Sequence, residues 1–200
     1  MNNPFENLGG GARAYVDVRP GYPAGAIDEL FHATLAARGS GGAQRSGRMS
    51  CDQEFDPGRV LRIADIGAGT GKLTADLLAA GEARIELWAV EPAEDMRVAF
   101  AYALPHFPPE QILSRTAEDT GLDDAYFDAL TYGQCWHWLD AKAAAAEAAR
   151  ILRPGGVIAI FYNQLAVEVP WVKRLTRIMR SGDVHRFDRP PLPRPWFYSA

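Results

Sequence analysis

The chain has 200 residues, 48% hydrophobic and 23% charged, with a formal net charge of −4 and a sequence pI near 5.6. That composition suits one globular domain with a real core, and its acidic balance argues against a basic nucleic-acid footprint. No run approaches a membrane span and the N-terminus lacks a signal-peptide core; Cys51 and Cys135 form no CxxC, and His32, His106, His137 and His185 show no metal spacing, so the expected setting is the cytoplasm, with no metal and no membrane.

Residues 1–22 are glycine-rich, then aromatic and basic, with Phe5, Arg13, Tyr15, Arg19 and Tyr22. Pro20 and Pro23 forbid a long helix there, and Pro23 suits a helix start. Ile27, Leu30, Phe31 and Leu35 then recur at helical spacing until Gly39. Residues 39–59 are polar and glycine-rich and read as a flexible loop, not a domain.

The apolar run 60–66 reads as a buried strand that stops at Gly67, Gly69 and Gly71. A helix over 71–80 follows, with Leu73, Leu77 and Leu78 on its apolar face. Ile85–Val90 is a second strand ending in Glu91-Pro92. Met96, Val98, Ala99 and Phe100 mark the next helix, broken by Pro105, Pro108 and Pro109. Gln111–Ser114 is a short third strand, Tyr126–Tyr132 a fourth, Ala141–Leu152 a helix, Arg153–Gly156 a turn and Val157–Tyr162 a fifth strand. Val172, Leu175, Ile178 and Met179 suit an amphipathic helix over 171–180, and Pro190, Pro191, Pro193 and Pro195 suit an irregular tail. Strands alternating with helices predict an α/β fold: a doubly wound, mostly parallel sheet with helices on both faces. Ligands of such sheets sit at the carboxyl ends of the strands, here after Ile66, Val90, Ser114 and Tyr132.

The glycine spacing narrows the ligand. A dinucleotide fingerprint needs a third glycine where Lys72 stands, and a phosphate-binding loop needs Ser or Thr where Leu73 stands. Both phosphate readings are weakened, and a structural glycine turn without ligand stays open on these residues alone. Glu91 lies 24 residues after Gly67 (91 − 67), where a carboxylate can accept hydrogen bonds from both hydroxyls of a ribose, or else be a solvated charge at a strand end.

Asp65-Ile66-Gly67-Ala68-Gly69-Thr70-Gly71 resembles the first motif of the class I S-adenosylmethionine-dependent methyltransferases. Glu91-Pro92-Ala93-Glu94-Asp95-Met96 resembles their second motif, which implies Met96 packing on adenine, although ordinary helix core fits it equally. Thr116-Ala117-Glu118 falls on the loop that meets the adenine edge in that family, and Asp128 on a Phe-Asp pair read as structural. The stretch Tyr132-Gly133-Gln134-Cys135-Trp136-His137-Trp138-Leu139-Asp140 resembles the His-Trp-Phe-Asp signature of a small-molecule subgroup that includes trans-aconitate methyltransferase, with Leu139 where Phe is usual. Tyr15 and Arg19-Pro20-Gly21-Tyr22-Pro23 resemble that subgroup's lid. The implied cofactor is S-adenosylmethionine, with S-adenosylhomocysteine as product. Its implied ligands are Tyr15, Arg19, Asp65, Gly67, Ala68, Gly69, Gly71, Glu91, Pro92, Met96, Thr116, Ala117, Glu118 and Gln134. Tyr22, His137 and Trp138 are implied at the substrate.

The resemblance covers most of residues 5–163 and divides the chain into a lid and helix (1–38), a loop (39–59), a Rossmann-like core (60–163) and a helix with a proline-rich tail (164–200). Five strands are evident, and the last two of the family's seven have no counterpart, so the chain reads as C-terminally shortened. The implied reaction is in-line displacement on an activated methyl, which needs alignment and exclusion of water. His137 is a base for a hydroxyl or amine acceptor, unnecessary for a carboxylate, or a packing residue between two tryptophans. The competing readings are a cofactor- or partner-binding protein without turnover and, more weakly, a nicotinamide-dependent oxidoreductase. The apolar, uncharged strand VIAIFY, left as a sheet edge, leads to the expectation of a homodimer.

Overall fold

The computed structural model describes residues 20–39, 60–81, 84–164, 166, 168–172 and 174. Tyr15, Arg19 and the loop 40–59 lie outside these residues, as do most of the helix expected over 171–180 and the tail beyond it.

Helix α1 (Ala24–Gly39) begins right after Pro23, whose carbonyl accepts from Ala26 N at 2.9 Å. The core then alternates as the sequence predicts: β1 (Leu61–Ile66), α2 (Lys72–Gly81), β2 (Ile85–Val90), α3 (Glu94–Ala103), a 3-10 turn at Pro109–Gln111, β3 (Ile112–Leu113), β4 (Phe127–Gly133), a 3-10 turn at Trp136–Trp138, α4 (Ala141–Ile151) and β5 (Leu152–Phe161). The five strands form one sheet in the order β3-β2-β1-β4-β5, and every pairing is parallel. The order reverses between β1 and β4, so the ligand crevice is set at the carboxyl ends of those two strands.

Side chains of β1 alternate between two cores. Leu61 and Ile63 join Ile27, Leu30, Leu77 and Phe100 on one face. Ala64 and Ile66 join Leu130, Tyr132, Ala148 and Ile151 on the other. A strand buried on both faces explains the near-continuous apolar run that marks it in the sequence.

One expected boundary moves. Arg153-Pro154-Gly155-Gly156 is predicted as a turn ahead of the last strand, but β5 starts at Leu152. Phe127 pairs with Leu152 and Ala129 with Val157, so a step of two in β4 meets a step of five in β5. The extra residues bulge out of the ladder, helped by a left-handed Gly155 (φ 77°) and by Pro154, which has no N–H to lose.

The amino ends of the strands are tied by Asp128, which is fully buried at the start of β4. Its carboxylate accepts from Arg38 Nε of α1 at 2.6 Å and from the main-chain N–H of Arg62 at 2.9 Å, and it pairs with Arg153 of β5. The structural reading of Asp128 follows from this position, at the end of the sheet away from the glycine turn. No helix among the described residues is long and apolar enough to cross a membrane.

Candidate functional site

The site is built outward from the turn after β1. Gly67, Gly69 and Gly71 all take positive φ (69°, 58° and 81°), a region that excludes a β-carbon at little cost only for glycine. Their surroundings differ. A side chain at Gly67 would stand 2.8 Å from the Cys135 sulfur, and one at Gly71 would stand 2.8 Å from the Phe100 ring. At Gly69 the nearest atom of the described residues would be 4.0 Å away, the carbonyl oxygen of Gly67. Two glycines are therefore pressed against protein, while the middle one meets no close neighbour among the described residues at the carboxyl ends of the strands.

Main-chain bonds from Gly67 N and Ala68 N to the Val90 carbonyl, at 2.8 and 3.0 Å, hold the turn against the end of β2. Glu91, the next residue, completes the latch. One carboxylate oxygen accepts from Gly69 N at 2.8 Å and the other from Ala93 N at 2.9 Å. Glu91 is largely buried; burial pushes its carboxyl up, and those two N–H groups and the Arg97 cation pull it back. Arg97 in turn donates to the carbonyls of Glu91 and Pro92, at 2.9 and 2.6 Å, which fixes the β2–α3 turn. A carboxylate offers about four lone-pair directions. With one bond to each oxygen, Glu91 retains acceptor capacity beyond its bonds to the turn.

Asp65 sits one layer behind. It has no exposed surface and accepts from Thr74 Oγ1 at 2.6 Å and Thr131 Oγ1 at 3.0 Å. It joins the last residues of β1 to the first turn of α2 and to β4. Burial raises its carboxyl to about 6, opposed by the two threonine hydroxyls and reinforced by the nearby Glu91 charge. Asp65 therefore shapes the glycine turn from inside the protein.

The β4 end supplies the other wall. Cys135 donates to the Ile66 carbonyl at 3.1 Å and packs on Gly67; burial pushes its thiol up, so it is a packing group. Gln134 takes a left-handed conformation (φ 59°), unusual outside glycine; its main-chain N–H donates to the Phe161 carbonyl at 2.9 Å and its side chain to the Asn163 carbonyl at 3.1 Å. Trp136 turns inward, edge-on to Tyr132 at 4.8 Å. His137 is half-buried, 4.6 Å from the Trp138 ring centroid and 5.8 Å from that of Tyr162, with Nδ1 3.4 Å from the Tyr162 hydroxyl.

Tyr22 closes toward the same mouth. Its main-chain N–H donates to Asp76 of α2 at 2.7 Å, and its ring meets Phe161 edge-on at 5.6 Å. Its hydroxyl lies over Gly133, 2.8 Å from where a β-carbon would stand. Asn163 donates to the carbonyls of Pro20 and Gly21 at 3.4 and 3.2 Å. The segment Pro20–Tyr22 is thus docked between α2 and the end of β5.

The remaining expected residues fall around this crevice in two ways. Ala68 and Met96 are buried, Met96 on the inner side of α3. Thr116 is exposed and bridges to Asp119, Ala117 is buried, and Glu118 accepts from Asp140 N at 3.0 Å, which links the β3 loop to the start of α4. Sequence reasoning did not single out Tyr162, Asn163, Asp76, Thr74 or Thr131. The strand-end rule that located the other residues, applied also after β5, would have found Tyr162 and Asn163.

Comparison with known proteins agrees with this geometry. Residues 64–160 match a family described as methyltransferase domain. The chain is 37% identical over 191 residues to an uncharacterized methyltransferase of Mycobacterium tuberculosis, covering 95% of this chain and 65% of the relative. The chain therefore spans about two thirds of the length of that relative. Among solved structures, one named as a type II methyltransferase from Anaeromyxobacter dehalogenans superposes with a TM-score of 0.52 at 23% identity, over 81% of this chain and 56% of the other. One named as an S-adenosyl-L-methionine-dependent methyltransferase from Methanococcus maripaludis also gives 0.52, at 17% identity, over 90% and 75%. At those identities the two structures speak for the fold alone.

Proposed function

Taking as premise a class I methyltransferase, which the domain match and the relatives support, we propose that this chain transfers a methyl group from S-adenosylmethionine to a small-molecule acceptor by in-line displacement. The observation that carries the reading is the latch at the carboxyl ends of β1 and β2. There the Glu91 carboxylate holds the Gly69 N–H, while the β-carbon side of Gly69 is open among the described residues. That geometry suits a nucleoside with a ribose: a carboxylate with spare lone pairs for two hydroxyls, beside a backbone turn that a ligand can approach closely.

In this reading Gly67, Ala68, Gly69 and Gly71 form the cradle, and Glu91 binds the ribose with Pro92 shaping its turn. Met96, Thr116, Ala117 and Glu118 border the adenine. Gln134 lies toward the amino-acid part of the cofactor, and Tyr15 and Arg19, outside the described residues, are the further ligands that the lid resemblance implies. The cofactor, when bound, supplies a methyl already activated on a sulfonium. What the protein adds is alignment and dryness. Tyr22 and Trp138 line the mouth and His137 meets the acceptor, so an acceptor is held in line and water is kept out. The trans-aconitate-type subgroup is favoured by His137-Trp138 and by the docked Pro20–Tyr22 segment.

Calorimetry with S-adenosylmethionine and S-adenosylhomocysteine tests the cofactor, with NAD as the contrasting dinucleotide. Saturable binding of the first two and none of NAD is expected. Binding of NAD instead would refute the assignment. A methyl-transfer assay on a panel of small acids, phenols and amines tests turnover, and binding without transfer to any of them would favour a non-catalytic binder.

A further inference from the structure

Helix α3 begins without an ordinary cap. Its N-cap is Ala93, whose side chain has nothing to offer the free N–H groups of the first turn. Pro92 before it has no N–H to give to the turn. Two side chains take over. Glu91 accepts from Ala93 N at 2.9 Å through one oxygen and from Gly69 N at 2.8 Å through the other. Arg97, half-buried at the end of the first turn, directs one guanidinium nitrogen at the carbonyls of Glu91 and Pro92, at 2.9 and 2.6 Å. That nitrogen carries two hydrogens, enough for both carbonyls. Chemistry fixes the direction of every bond in the set: main-chain N–H groups and the guanidinium donate, and the carboxylate and carbonyls accept.

Helix formation does not explain a cation at this position. The start of a helix carries partial positive charge, which Glu94 and Asp95 complement and Arg97 opposes. Its partners are instead the two consecutive carbonyls that precede the helix. With those carbonyls bound to Arg97, the Ala93 N–H stays aimed at the Glu91 carboxylate. The other anchor of that carboxylate, Gly69 N, belongs to a turn already tied to the end of β2 by the bonds from Gly67 and Ala68 to the Val90 carbonyl. The orientation of Glu91 is thus set from two sides, and Arg97 governs one of them.

We infer that Arg97 is a positioning residue of the nucleoside site: by bridging the Glu91 and Pro92 carbonyls it fixes the direction in which the spare lone pairs of Glu91 meet the hydroxyls of a ribose. The identity of the ligand rests on the methyltransferase reading; the latch itself does not. Arg97 acts through Glu91, without touching the ligand, and its contribution is an acceptor already oriented before the ligand arrives. Its cation also pulls the Glu91 carboxyl back from the rise that burial causes, which favours the ionised acceptor. Arg97 therefore supports recognition of the ribose hydroxyls and not of the adenine.

The test uses two variants of the full chain. Arg97→Met keeps an apolar stem and removes the cation and both hydrogen bonds, while Arg97→Lys keeps a cation that can donate to both carbonyls. Without ligand, amide hydrogen exchange is read at Gly69 and Ala93, with the Arg62 amide, which donates to Asp128 at the far end of the sheet, as control. In Arg97→Met the Gly69 and Ala93 amides are expected to exchange about ten-fold faster with Arg62 unchanged, and Arg97→Lys is expected to recover most of the protection. Ala93 protection equal to wild type overturns the inference, and so does an equal rise at all three amides, which would mean a loosened fold. With ligand, calorimetry compares adenosine with 2′,3′-dideoxyadenosine. Wild type is expected to prefer adenosine. Arg97→Met is expected to lose about ten-fold in affinity for adenosine and none for the dideoxy compound, with partial recovery in Arg97→Lys. An unchanged affinity for adenosine, or an equal loss for both nucleosides, overturns the role at the ribose. A wild type that binds neither nucleoside nor S-adenosylhomocysteine strikes the methyltransferase reading instead, and the exchange result alone then decides whether Arg97 holds the latch.

Discussion

Asp65 offers a quantitative test of how the glycine turn is held. Its carboxyl is raised to about 6 from an ordinary 3.8, first by burial, with Thr74 and Thr131 opposing and Glu91 adding to the rise. A folded-state value above the unfolded one means that the unfolded chain gives up its proton first. Stability from this group is therefore complete below about pH 4 and is lost as pH rises through about pH 6. The difference corresponds to about 3 kcal/mol. Asp65→Asn keeps the size and shape and cannot titrate. Its carbonyl oxygen accepts one threonine hydroxyl, and its amide donates to the other hydroxyl oxygen. Urea unfolding, followed by the fluorescence of the five tryptophans, is measured for both proteins across that window. The stability of wild type relative to Asp65→Asn is expected to fall by about 3 kcal/mol from about pH 4 to about pH 7. Among the described residues the other shifted carboxyls are Glu91, raised like Asp65, and Glu147, which Arg150 holds down at about 2; both are present in each protein and cancel to first order in the difference. Parallel pH profiles for the two proteins would refute the account of Asp65 as a buried carboxylate that titrates behind the turn.

Two further predictions follow from the latches at opposite ends of the sheet. Glu91→Ala removes the acceptor of both the Gly69 and Ala93 N–H groups, bonds to a charged group worth about 1.5–3 kcal/mol each; S-adenosylhomocysteine affinity is expected to drop at least about ten-fold by calorimetry, and an unchanged affinity would remove Glu91 from the ribose site. Asp128→Ala leaves Arg38 and Arg153 without their shared carboxylate and is expected to cost about 3–5 kcal/mol in urea unfolding, with cofactor affinity little changed if the protein is assayed well below its midpoint.

Much of this protein is legible in its sequence, because the signals are local. A run buried on both faces, a turn that needs positive φ at three glycines, and alanine-rich helical periodicity are each written within a dozen residues. They specify the element order and the strand-to-helix turn at Gly67–Gly71, and they point to the carboxyl ends of the strands for the candidate site. The last strand is where local reading failed. Arg153-Pro154-Gly155-Gly156 has turn chemistry, yet pairing of Leu152 with Phe127 and Val157 with Ala129 absorbs it as a bulge, and only the partner strand determines that. The same holds for the site. That Gly67 and Gly71 are packed while Gly69 is open depends on Cys135 and Phe100, distant in sequence. That Asp65 faces Thr74 and Thr131, that Tyr22 is anchored by Asp76, and that His137 meets Tyr162 are contacts between strand ends and helix starts that chain order does not encode. The sequence determined which residue types stand at each strand end. The parallel packing of five strands in the order β3-β2-β1-β4-β5 decided which of them touch, because it brings ends separated by tens of residues to one edge of the sheet.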